Sequence, residues 1–200
     1  ATIAEAVEAV HAAGLLHRDL KPANVLIREL DDAPFLTDFG LARRLAGDTV
    51  TNTGEVMGTP EFMSPEQIKG ETIDRGTDVW ALGVLLFQLV TGRMPFQGDS
   101  FHATARLITG STAPPVTSLT PTLPPALAGI IGRALRRRPQ DRFASAGALA
   151  AACRALAESE AVARSADSGI DEARRRSARR RALARQAAVG LGALGLVAGL

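Results

Sequence analysis

The chain has 200 residues, 46% hydrophobic and 22% charged, which allows one sizeable buried core with room for a tail. A single cysteine, Cys153, excludes an internal disulfide and any multi-cysteine zinc site. The net charge of +2 hides a division: seven of the 23 Lys+Arg follow Ala173 with no acid among them, so the rest carries 16 basic against 21 acidic residues, a net of −5. Basic character belongs to the tail and not to the body.

Ile3, Val7, Val10 and Leu15 recur at near-helical spacing around a break at Gly14, which predicts a first helix. Val25-Leu26-Ile27 and Phe35-Leu36-Thr37 are β-prone runs separated by a turn at Asp31-Asp32, the pattern of a small hairpin. Residues 41–66 mix Gly and Pro with polar residues and predict a long loop. Asp78 to Thr91 is apolar nearly all round, as in a buried helix, and Gly92 with Pro95 closes it. Further helices are predicted near residues 99–109, 125–137 and 144–157, with a Pro/Ser/Thr-rich connector from Ser111 to Pro125. Ala157 to Ala173 loses apolar periodicity and reads as a linker. The arginine cluster of residues 174–181 follows, and then an uncharged run from Ala187 to Leu200.

The chemistry is concentrated between the first helix and the long loop. His17-Arg18-Asp19-Leu20-Lys21-Pro22-Ala23-Asn24 precedes the hairpin, and Asp38-Phe39-Gly40 follows it. Asp19 can orient an attacking hydroxyl and accept its proton. Asn24 and Asp38 are oxygen donors of the kind that hold Mg²⁺. An isolated aspartate is most simply a turn or cap residue, but that reading does not account for three such groups at this spacing around a β-prone pair.

Over roughly residues 1–157 the motif set resembles the catalytic and magnesium loops of eukaryotic-type protein kinases. The resemblance implies a mostly α, protein-kinase-like C-terminal lobe with a small β-hairpin at those loops. The N-terminal lobe is missing from this reading, for the 200 residues contain no Gly-rich phosphate loop, strand lysine or pairing helix glutamate. The glycines near Gly190 follow no strand and lie inside the apolar run, so they form no such loop.

By the same resemblance Asp19 is the catalytic base and Asn24 and Asp38 are metal ligands. Lys21, the choice of Ser/Thr-specific members, reaches the transferred phosphate, and Leu26 lies under the adenine. Thr59, in Gly58-Thr59-Pro60-Glu61-Phe62-Met63-Ser64-Pro65-Glu66, lines the substrate seat; Ser64-Pro65-Glu66 departs from the more common Ala-Pro-Glu. Glu66 is expected to pair with Arg142, Asp78 to hold the catalytic-loop backbone, and His17 to pack on Phe39. Arg18 is a regulatory residue that a phosphorylated activation loop can engage. Thr51 and Thr53 match the autophosphorylation positions of bacterial receptor-type kinases. His11 and His102 show no partner pattern and read as structural or surface residues.

The expected organisation is an incomplete kinase domain over 1–157, a basic juxtamembrane linker over 158–186 and the start of a truncated membrane helix over 187–200. Fourteen uncharged residues fall short of the about 20 that a span needs. Read as the start of a span, they put the kinase lobe, by the arginines before them, on the cytoplasmic side of a single-pass cell-membrane protein; the alternative is a soluble basic Ala/Gly-rich tail. The expected function is transfer of the ATP γ-phosphate to protein Ser/Thr hydroxyls with Mg²⁺, regulated by activation-loop phosphorylation, and the 200 residues are expected to be inactive alone. Expected partners are protein substrates, ATP, and a lipid bilayer through the C-terminal segment, with a homodimer as a further candidate. Nucleic acid is not expected, because the arginine cluster has no interleaved aromatics and abuts an apolar run. The rival reading is a pseudokinase or membrane-anchored binding scaffold, which has no chemical need for Asp19, Asn24 and Asp38 together.

Overall fold

The computed structural model describes residues 2–38, 43–44 and 60–165 and is mostly helical. The chain divides into two compact units, Ala1–Leu156 and Ala157–Leu200, and every site element lies in the first. Helix α1 spans Thr2–Ala12 and buries Ala4, Val7 and His11, a single stripe at helical spacing. Gly14 then takes a left-handed backbone at φ +75°, which turns the chain out of the helix. Strand β1 (Leu15–Leu16) follows and pairs antiparallel with β4 (Arg43–Arg44).

Strands β2 (Val25–Ile27) and β3 (Pro34–Leu36) form the hairpin read from the sequence, in the register Val25↔Leu36, Leu26↔Phe35 and Ile27↔Pro34. The Thr37 N–H donates to the Asn24 carbonyl at 2.9 Å and carries the pairing one step past the strands. Helix α2 (Pro65–Lys69) begins inside the stretch predicted as loop. Its start is a capping box: the Ser64 hydroxyl accepts from the Gln67 N–H, and the Gln67 side chain accepts from the Ser64 N–H. Pro65 costs nothing in the first helical turn.

Helix α3 (Arg75–Thr91) begins one turn earlier than its apolar run, because Asp74 caps the polar turn by accepting the Gly76 N–H. It is the central pillar of the lobe. Val79 and Leu82 join Val7, Leu20, Phe143 and Leu149 in one core cluster. Trp80, Val84 and Phe87 join Phe96, Ile108 and Ile131 in another. A helix buried on two faces needs an apolar surface on both, which is why its sequence is apolar nearly all round.

Helices α4 (Phe101–Gly110), α5 (Val116–Leu119) and α6 (Pro125–Ala134) pack around the second cluster. Helix α6 stops short of the predicted residue 137, because the Arg136 and Arg137 carbonyls accept from the Arg142 guanidinium instead of continuing a helical ladder. The last helix, α7, covers residues 146–165. Its residues 157–165, read from sequence as linker, are helical and exposed. Their Ala, Glu and Arg favour helix without any buried face, so apolar periodicity could not reveal it. No helix among the described residues is long and apolar enough to cross a membrane; the arginine cluster and the apolar run lie outside the described residues.

Candidate active site

The segment between β1 and β2 is held from two sides. From α3, the buried Asp78 carboxylate accepts the His17 N–H on Oδ2 at 2.9 Å and the Arg18 N–H on Oδ1 at 2.8 Å. From α2, the Gln67 side-chain amide donates to the Arg18 carbonyl at 2.9 Å. Arg18 stands at φ +68°, a left-handed conformation that an L side chain adopts only where its surroundings impose it. The His17 ring is fully buried, with Nε2 3.2 Å from the Thr37 carbonyl, next to Asp38.

This turn aims Asp19 into a small polar cluster. The Lys21 ammonium donates to Asp19 Oδ2 at 2.7 Å, with both side chains only partly exposed. Asn24 is 4% exposed and ends the 3₁₀ turn Pro22–Asn24. Its amide nitrogen donates to the Asp19 carbonyl at 2.7 Å and to Asp19 Oδ2 at 3.1 Å. With the nitrogen turned to Asp19, the group that the amide can present to a ligand is its oxygen.

The hairpin register brings the second oxygen donor to the same end. Asn24 bonds to Thr37 across the pair, and Asp38 is the next residue, exposed and at φ +59°. One amide oxygen and one carboxylate suit Mg²⁺, which keeps several waters and takes its remaining ligands from substrate phosphates. Among the described residues no group of three or more His, Cys, Asp or Glu gathers as a softer or fully protein-built metal site. Leu26 is 55% exposed on β2 and offers an apolar surface beside the cluster. Phe39, Thr51, Thr53 and Thr59 lie outside the described residues.

Below the site, Glu66 and Arg142 form a buried two-pronged pair, Nη1 to Oε1 at 2.7 Å and Nη2 to Oε2 at 2.9 Å. The guanidinium also donates to the carbonyls of Arg136 at 2.7 Å, Gly76 at 2.8 Å and Arg137 at 2.9 Å, so all five of its donors are engaged. Burial alone would raise the Glu66 carboxyl, but the hydrogen bonds and charge of Arg142, with the Thr77 hydroxyl, hold it below the usual carboxylate range. The pair ties α2 to the start of α3 and to the turn after α6, a supporting role away from the chemistry.

The sequence reading gave Thr77 and Gln67 no role in this framework and took His11 only as structural or surface, without its partner. His11 Nε2 lies 2.7 Å from Asp78 Oδ2, fully buried, although α1 and α3 are far apart in the chain. Thr77 donates to Glu66 Oε1 at 2.9 Å. Gln67 was within reach of sequence reasoning, since Ser-x-x-Gln is a capping-box pattern. His102 is exposed, edge-on to the Phe101 ring.

A mostly helical lobe with a hairpin beside a carboxylate–lysine–amide cluster is consistent with a kinase-like catalytic domain. Comparison with known proteins places it there: residues 1–153 match the protein kinase domain, and the chain belongs to that family. It is 40% identical over 150 residues to serine/threonine-protein kinase PknL of Mycobacterium tuberculosis, covering 75% of this chain and 37% of that protein. It is 42% identical over 161 residues to serine/threonine-protein kinase Pkn1 of Myxococcus xanthus, covering 78% and 23%. With serine/threonine-protein kinase PknB of Mycolicibacterium smegmatis it shares 39% over 154 residues, covering 74% and 24%. The chain thus spans between 23% and 37% of the length of these curated relatives.

Proposed function

We propose that this chain is the catalytic lobe of a protein serine/threonine kinase that transfers the ATP γ-phosphoryl group to protein hydroxyls. The observation that carries the reading is the cluster of Asp19, Lys21 and Asn24, in which one carboxylate oxygen takes both a lysine and an amide donor. Asp19 orients the acceptor hydroxyl and takes its proton as the oxygen–phosphorus bond forms. Lys21 neutralises charge on the phosphoryl group in flight, and Thr59 lines the acceptor's seat. Asn24 and Asp38 would hold Mg²⁺, which when bound would offset the charge of the phosphates. Leu26 packs beneath the adenine. The names of the relatives support the Ser/Thr class.

Regulation on this reading runs through Arg18, which pairs with a phosphate on Thr51 or Thr53 and so orders the loop between Asp38 and Pro60. The nucleotide also needs a Gly-rich loop and a strand lysine, and the 200 residues contain neither, so they do not phosphorylate by themselves. The arginines of residues 174–181 and the uncharged run 187–200 anchor the protein in the cell membrane, with the lobe on the cytoplasmic side. The experiment is Asp19→Asn in the kinase with its nucleotide-binding lobe present. Phosphotransfer to a protein acceptor should fall at least about a thousandfold with the fold intact. Activity near that of the unmodified kinase removes Asp19 from its role.

A further inference from the structure

The second core cluster opens into a cleft of about 480 Å³ between α3, the connector before α5, and α6 with the arginine run behind it. Its walls are apolar, with Phe87, Val116, Ile131 and Leu135 among them. Trp80 lines the cleft too. It is 1% exposed, and its indole N–H has no hydrogen-bond partner among the described residues. The ring is otherwise committed: it stacks on Phe96 at 5.8 Å, and the Arg142 guanidinium lies 5.0 Å from its centre. A buried donor without an acceptor is unusual in a folded protein.

The mouth of the cleft is basic. Arg136, Arg137 and Arg138 border it. Arg137 is used internally, donating to the Gly110 and Ser111 carbonyls at 3.1 Å and 3.0 Å. The Arg136 and Arg138 side chains are exposed and make no ion pair or hydrogen bond among the described residues. A neighbouring recess shares Gly132, Arg136 and Asp141 with the cleft and adds Arg133, which prolongs the positive edge along α6. None of these residues belongs to the catalytic loop or the hairpin.

We propose that this cleft is a docking site for an acidic segment of a protein substrate. An apolar side chain of that segment enters between Trp80, Ile131 and Leu135, and a backbone carbonyl beside it accepts the Trp80 N–H. Flanking carboxylates meet Arg136 and Arg138. Charge complementarity selects the occupant: an apolar pocket behind a cationic rim excludes basic segments and favours acidic ones. That the partner is a substrate rests on the kinase reading above; the binding itself does not.

Trp80 is the only tryptophan in a chain without tyrosine, so its emission reports directly on the cleft. The test titrates the full chain with hexapeptides in which Leu-Phe, Phe-Leu, Ile-Leu or Met-Phe is flanked on each side by two Glu. A saturable change in Trp80 emission with at least one of them is expected. It should be lost when Lys replaces Glu or Ser-Ser replaces the apolar pair. Arg136→Glu with Arg138→Glu should weaken binding at least about tenfold without changing the circular dichroism spectrum. Absence of a saturable change up to millimolar peptide overturns the proposal, as does an equal response to the lysine peptides. A response to laurate with none to any peptide also overturns it, by making the cleft a small-amphiphile site. No phosphotransfer is read, so a chain that failed as a kinase could still bind, and an active one could fail to.

Discussion

Asp78 accepts the Arg18 N–H at 2.8 Å while Arg18 itself stands at φ +68°, so a buried carboxylate on α3 holds the His17–Arg18 turn in a conformation it would not adopt freely. The left-handed backbone costs about 1–3 kcal/mol. A hydrogen bond to a charged group contributes about 1.5–3 kcal/mol, and Asp78 accepts two from this turn. The carboxylate therefore outweighs the strain, and the bent loop is the stable one.

Asp78→Asn tests this balance. An amide keeps one acceptor but turns an NH₂ toward the N–H of His17 or of Arg18, and His11 loses its carboxylate as well. The variant should lose about 2–4 kcal/mol of stability, read as a lower urea midpoint. An unchanged midpoint would mean that the loop is held by something else.

For Glu66 and Arg142 the question is whether charge or shape matters more. Arg142→Lys keeps the charge but cannot serve five acceptors, and should cost at least about 2 kcal/mol in chemical denaturation. A near-neutral effect would reduce the pair to simple charge compensation.

The same pair sets a pH dependence. Glu66 is held below its usual range despite burial, and Glu8 is lowered chiefly by the Gly147 N–H that donates to it at 2.7 Å. A carboxyl whose folded pKa lies below its unfolded one contributes stability that is fully present above the unfolded value and is lost as pH falls through the folded one. Stability should therefore hold at neutral pH and decline below about pH 5. Glu66→Gln should flatten that decline, on a lower plateau; a decline of unchanged steepness in thermal melts would assign it to other carboxylates.

Gly83 separates helix propensity from packing. Alanine there should favour the helix by about 1 kcal/mol. Its Cβ would, however, lie 2.8 Å from the Ala134 Cβ and 3.2 Å from Leu135 on the neighbouring helix. Overpacking costs about 1–3 kcal/mol, so Gly83→Ala should lower the melting temperature, and Ala134→Gly should recover part of the loss. A stabilised Gly83→Ala would show that α3 and α6 have room to separate.

By itself the sequence determined the local elements and the spacing of the chemistry. The α1 stripe, the β2–β3 hairpin, the apolar α3 and the order Asp19, Asn24, Asp38 are each written within a short stretch, where periodicity and turn chemistry act between near neighbours. The helical continuation of residues 157–165 stayed hidden, because a helix that buries nothing leaves no apolar period. Glu66 and Arg142 could be linked only through the family resemblance, since no local pattern joins them. Only the tertiary structure decided that His11 shares the Asp78 carboxylate with the His17–Arg18 turn, across 67 positions. It alone gave Arg142 acceptors for all five donors and left the Trp80 N–H without one among the described residues. The physical reason is that a buried polar group must find its partner in three dimensions, and packing brings that partner from a part of the chain with no periodic relation to it.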